Sequence, residues 1–128
     1  MSNMSLYLID TENVGDASNI LDNNLAGGDK VIFFFPNKRA RSISLAEENS
    51  LKGIAYESKV INTKNEENSL DLAIASYAGI KIHEYSNIYI IGNDRGYDIF
   101  GNRLNKELNK KVNVFKPSGN SIMWCRIY

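Results

Sequence analysis

The chain has 128 residues, 15 Lys and Arg against 15 Asp and Glu, one His and one Cys, so its formal net charge is zero. That length suits a single domain, residues 1–128, which can bury about two thirds of its unfolded surface without disulfides or a structural metal. A lone Cys125 cannot close an intrachain disulfide, so a reducing, cytoplasmic setting is expected. No apolar run approaches a membrane span, no basic region with a signal core opens the chain, and zero net charge argues against a simple polybasic nucleic-acid binder.

The elements alternate along the chain. Residues 6–9 (Leu-Tyr-Leu-Ile) read as a first strand. Residues 16–25 read as a short, weak helix closed by Gly27-Gly28, and 31–35 (Val-Ile-Phe-Phe-Phe) as a second strand. A helix over 42–52 ends at Gly53, and 56–62 is a third strand. Residues 69–85 give the clearest helix, with Leu70, Ala73, Ile74, Tyr77 and Ala78 at helical spacing and Asn68 as N-cap. Residues 88–91 (Ile-Tyr-Ile-Ile) are a fourth strand. A helix over 97–111 turns Ile99, Leu104 and Leu108 inward, and its Lys-rich last turn suits the dipole. Residues 112–115 are a weaker fifth strand, and 121–128 fit either an edge strand or a packed tail. The short β-branched and aromatic runs, two of them apolar on both faces, suit strands of a parallel sheet covered on each side by helices. The expected class is an α/β sandwich with right-handed crossovers.

In such a sheet, chemistry gathers beyond the carboxyl ends of the strands. The first strand runs into Asp10-Thr11-Glu12-Asn13. The fourth runs into Gly92-Asn93-Asp94-Arg95-Gly96-Tyr97-Asp98. The long helix opens Asn68-Ser69-Leu70-Asp71. If strands one and four are neighbours, Asp10 and Asp94 sit side by side, with Asp71 near the same edge. Clustered carboxylates either take up protons or hold a cation. Oxygen donors without His or Cys select Mg²⁺ or Mn²⁺, and that points to phosphoryl chemistry with a metal-activated water. Asp71 could equally cap its helix, Asp94 could serve a turn, and Asp98 could answer a helix dipole. Asp10 discriminates, because it directly follows an apolar strand and is too early to cap the next helix; a charge there needs a partner.

These three segments resemble the PIN-like nucleases, in the branch close to the NYN domains. Leu8 to Val14 matches that branch's Leu-Ile-Asp-x-Glu-Asn-Val. Asn68 to Asp71, followed by small residues up to Gly79, resembles Asn-Ala-Leu-Asp on a helix. Gly92 to Asp98 resembles Ser-x-Asp-x-Gly-Phe/Tyr-Asp after an apolar strand. The resemblance covers about residues 5–116. It implies a three-layer α/β sandwich with a central five-stranded parallel sheet in the order 3-2-1-4-5, and an Mg²⁺- or Mn²⁺-dependent endoribonuclease. The implied metal and catalytic set is Asp10, Asp71, Asp94 and Asp98, with Glu12 and Asn13 in support. Gly92 departs from the usual small hydroxyl, and Tyr77 stands where many relatives carry another Asp.

The basic loop with Lys38, Arg39 and Arg41 leaves strand two on the acidic edge, where it could hold RNA phosphates or be a solvated loop. Arg95 could touch a phosphate or pair with Asp98. Phe33 to Phe35 read as core, and Tyr97 as a base-stacking candidate or core. His83 reads as a surface or satisfied histidine, and Cys125 as a small buried hydrophobe. The expected substrate is RNA, single-stranded, with DNA left open; a homodimer that lengthens the groove is a further option, and no membrane is involved. Two other readings compete. One is a non-catalytic RNA-binding or protein-interaction module on the same scaffold, motivated by Tyr77. The other is a phosphotransferase or phosphatase, weakened by Asp10-Thr11-Glu12 in place of Asp-x-Asp and by the absence of a Gly-x-x-x-x-Gly-Lys loop. Setting the four acids aside leaves eleven acidic against fifteen basic residues, a mildly basic body around an acidic pocket.

Overall fold

The computed structural model describes residues 4–12, 14–36, 43–61 and 69–93, with Tyr97, Arg103, Lys106 and the backbone of 112–118 and 121–127. The elements are β1 (Ser5–Asp10), α1 (Ser18–Asn24), β2 (Lys30–Pro36), α2 (Leu45–Ser50), β3 (Ala55–Ile61), α3 (Ser69–Lys81), β4 (Asn87–Ile91), β5 (Val112–Ser118) and β6 (Ser121–Ile127). Asn68 and most of the expected 97–111 helix lie outside the described residues; Tyr97, Arg103 and Lys106 are helical.

β3, β2, β1 and β4 lie side by side in that order, all parallel. This is the arrangement that short crossover helices and a twisted sheet favour. β5 pairs with β4, also parallel, and a sixth strand adds to the five expected, giving the order β3-β2-β1-β4-β5-β6. The ambiguous end of the chain is an antiparallel edge strand, with Val112 opposite Ile127 and Ser118 opposite Ser121.

Strand parity divides the core in two. Even-numbered residues Leu6, Leu8, Ile32, Phe34, Ile88 and Ile90 pack with Leu70, Ile74, Ala78 and Ile82, from α3 and the turn after it, and with Tyr97. Odd-numbered Tyr7, Ile9, Val31, Phe33, Phe35 and Ile91 pack with Ile20 and Leu21 of α1 and with Leu51 at the end of α2. Side chains alternate across a strand, so β1 and β2, buried along nearly their whole length, must be apolar on both faces. Asp10 is two residues beyond Leu8 and therefore falls on the α3 face. Tyr7 stacks on Tyr89 with ring centroids 4.7 Å apart; burial, then Asp29 and Tyr89, push its hydroxyl well above the usual tyrosine range.

The helices on the α1/α2 side are joined through one carboxylate. Ser44 Oγ accepts from the Glu47 N–H at 3.0 Å, and Glu47 Oε1 accepts from the Ser44 N–H at 2.9 Å. This capping box starts α2 three residues later than its apolar pattern alone suggests. Glu47 Oε2 also accepts from the Ala17 N–H at 2.8 Å, at the start of α1. Gly53 follows α2 at φ 77°, a left-handed turn that favours glycine.

On the β3 edge, Lys30 Nζ meets Glu57 Oε2 at 2.6 Å and Lys59 Nζ meets Glu57 Oε1 at 3.3 Å. The hydrogen bond from Lys30 lowers the Glu57 pKa, and the bond to Glu57 raises that of Lys30. Glu57's share of stability is therefore present above its unfolded pKa and lost as pH falls into the acid range. The share from Lys30 is present at neutral pH and lost as pH rises through its folded pKa. Both side chains are about one third exposed, so solvent screens the pair. Glu57→Gln is expected to change unfolding free energy by less than about 1 kcal/mol in a urea melt.

Candidate active site

The site is built where β1 ends and α3 begins. Asp10, the last residue of β1, is fully buried. Its Oδ1 accepts from the Glu12 N–H at 3.0 Å, and its backbone carbonyl accepts from the Val14 N–H at 3.1 Å. The carboxylate thus organises the turn that follows it. Thr11 closes the other side, with its Oγ1 donating to the Phe34 carbonyl at 2.7 Å and its N–H reaching the same oxygen at 3.2 Å. Asp71 stands in the first turn of α3, next to buried Leu70, where the helix dipole favours an acid.

Tyr97 brings the two acids together. Its hydroxyl lies 3.0 Å from Asp10 Oδ2 and 3.0 Å from Asp71 Oδ1. Two such legs meeting at one oxygen put the carboxylate oxygens within about 6 Å of each other. Tyr97 is 1% exposed. Burial first, then the charges of Asp10 and Asp71, push its hydroxyl far above the usual tyrosine range. One hydroxyl carries one proton, so it can donate to only one carboxylate at a time; the other then faces its lone pairs. Oxygen donors in this arrangement fit a hard cation such as Mg²⁺ or Mn²⁺.

Tyr97 is thus part of the acidic site and not a surface stacking platform. The resemblance marked an aromatic at this position, but the task of the hydroxyl was not legible, because it depends on contacts 87 and 26 residues away. Gly92 is the accompanying signal. A Cβ at Gly92 would stand 2.6 Å from Tyr97 Cε2, 3.1 Å from Cδ2 and 3.4 Å from Asp10 Cβ. In this structure the tyrosine ring occupies the space that a side chain at position 92 would take.

The other candidates divide as follows. Glu12 is exposed and contributes its backbone N–H to Asp10. Asn13, Lys38, Arg39, Arg41, Asp94, Arg95 and Asp98 lie outside the described residues. Among the described residues no group of three or more His, Cys, Asp or Glu is placed to hold a metal ion; the pair Asp10 and Asp71 is what is drawn together. Phe33, Phe34 and Phe35 are core, and His83 is exposed. The side chain of Cys125 lies outside the described residues. Tyr77 is half-buried, packs edge-on to Phe34 with centroids 5.8 Å apart, and has Lys59 Nζ and Lys81 Nζ at 5.3 and 5.8 Å from its ring centre. No described helix is long and apolar enough to cross a membrane.

One family pattern, that of the PIN domain, matches residues 4–108. No curated protein matches. Among solved structures, the crystal structure of a Vibrio parahaemolyticus protein of unknown function is similar in fold, with a TM-score of 0.63 and 15% identity, covering 89% of this chain and 81% of that one.

Proposed function

The chain belongs to the PIN domain family, which suggests a nuclease or RNA-binding function, and from that premise we propose that it is an Mg²⁺- or Mn²⁺-dependent endoribonuclease of the NYN type acting on single-stranded RNA. The observation that carries the reading is the convergence of Asp10 and Asp71 on the Tyr97 hydroxyl at 3.0 Å each. In this reading Asp10 and Asp71 hold the ion, with Asp94 and Asp98 completing the acidic set from the segment that contains Tyr97. A divalent ion there would lower the pKa of an attacking water and offset the charge that builds on the phosphate. Burial fixes Asp10, and the bond from the Glu12 N–H sets its rotamer. Tyr97 and the packed end of β1 keep bulk water from the inner side of the site. Lys38, Arg39, Arg41 and Arg95 supply phosphate contacts.

A second reading, a non-catalytic RNA-binding module, rests on Tyr77. Where an acid would extend the site, this chain has an aromatic ring flanked by two lysines, a combination suited to bases and phosphates.

Thermal melting with added Mn²⁺ and an RNA cleavage assay separate the two. With Mn²⁺ at ten times its Kd, linkage gives about 1.4 kcal/mol of stabilisation, a rise in Tm of roughly 5 °C, together with cleavage of single-stranded RNA. Binding of RNA with neither a shift at millimolar Mn²⁺ nor cleavage would establish the binding module.

A further inference from the structure

We propose that Tyr97 is the positioning residue that holds Asp10 and Asp71 in convergence for a divalent ion, and that the missing side chain at Gly92 is what admits it. This rests on the metal-dependent reading above. Tyr97 differs from the acids in kind: a single hydroxyl meets an oxygen of each, so its contribution is geometric.

The two carboxylates come from unrelated parts of the chain, one from a strand end and one from a helix start. No backbone ladder couples their side chains. The Tyr97 hydroxyl does so, with an oxygen of each within 3.0 Å. A carboxylate oxygen has two acceptor sites, so one that meets a hydroxyl can still face a cation. Outer partners of this kind orient metal ligands, and their loss typically costs about 10- to 100-fold in metal affinity.

The ring itself is held by close contact. Tyr97 is buried and belongs to the apolar cluster on the α3 face of the sheet. The floor beneath it is Gly92, just after β4, where a Cβ would lie 2.6 Å from Cε2. A separation below 3.0 Å forces a shift, and the close-packed ring cannot yield without moving its hydroxyl off the carboxylates. Gly92 therefore sets the height of the ring over the sheet, and Tyr97 converts that height into the separation of two acids.

The test is the Mn²⁺ affinity of the full chain, read from the paramagnetic resonance signal of the free ion, for the parent, Tyr97→Phe and Gly92→Ala. Tyr97→Phe keeps the ring and removes only the hydroxyl. It is expected to bind Mn²⁺ about 10- to 100-fold more weakly while keeping the parent's circular dichroism. Gly92→Ala is expected to weaken binding too, with no further loss when combined with Tyr97→Phe, since both act through the one hydroxyl. Parent-like or tighter binding by Tyr97→Phe overturns the proposal and leaves the nuclease reading intact; tighter binding would mean that the hydroxyl competes with the ion. If the parent binds no Mn²⁺, the nuclease reading fails instead, and metal-free melts decide the positioning. A Tm shift for Tyr97→Phe that differs between the parent and Asp71→Asn backgrounds keeps it, and equal shifts overturn it.

Discussion

Asp10→Asn is expected to lower RNA cleavage by more than about 100-fold, while the metal-free protein melts within a few degrees of the parent. The size of the first effect follows from position. Loss of a partner that merely orients a metal ligand costs about 10- to 100-fold, and removing the charge of a ligand exceeds that. The smallness of the second follows from shape. Asn has the outline of Asp, so the fully buried end of β1 keeps its packing. Its Oδ1 can still accept from the Glu12 N–H, and its amide can donate to the Tyr97 oxygen that now faces Asp10 Oδ2. A neutral group beside Asp71 also relieves like-charge repulsion. The variant should therefore lose both the cleavage and the Mn²⁺-dependent rise in Tm. Cleavage at the parent rate, or an undiminished rise in Tm, would show that Asp10 holds no ion. Asp71→Asn serves as the companion, with the added loss of a few tenths of a kcal/mol where a first-turn acid meets the helix dipole.

What was legible in the sequence was periodic or adjacent. Apolar runs marked β1, β2, β4 and β5, whereas β3 is largely polar and exposed; parity within β1 puts Asp10 on the face of Leu6 and Leu8, which α3 covers. Leu70, Ile74 and Ala78 marked the buried face of α3, although Ala73 and Tyr77 prove only half-buried. The sixth strand was ambiguous because 121–127 mixes Ser, Arg and Cys among its apolar residues; pairing with β5 decides it. Tyr97 could be read only as an aromatic, since its role is set by residues at three separate chain positions. Gly92 appeared only as a departure from a motif; its close approach to the ring above it is a matter of three-dimensional packing. The start of α2 was written in Ser44-Leu45-Ala46-Glu47, a capping-box pattern that apolar periodicity passes over. The second task of Glu47, at the start of α1, was not legible, because it joins residues 30 apart.

Glu47→Ala is expected to cost about 3 kcal/mol, lowering Tm by roughly 10 °C, without changing the Mn²⁺ response. Glu47 is fully buried, and a carboxylate there is tolerable only because both oxygens are engaged. Oε1 takes the Ser44 N–H, and Oε2 takes the Ala17 N–H. Both are backbone donors at helix starts, where no intrahelical carbonyl can serve them. Alanine would leave both to find water in a part-buried place, at about 1 to 3 kcal/mol for each orphaned donor. Glu47→Gln separates charge from geometry. Its oxygen can serve one N–H, but its amide would point a donor at the other, so its cost should approach that of alanine despite the matched shape. A loss below about 0.5 kcal/mol in Glu47→Ala would mean that Asp16, whose Oδ1 already accepts from the Ser18 N–H and whose Oδ2 accepts from Ser44 Oγ, holds the two helix starts together by itself. The Mn²⁺ response should be spared in either variant, because Glu47 packs on the α1/α2 side of the sheet and the acids meet on the α3 side.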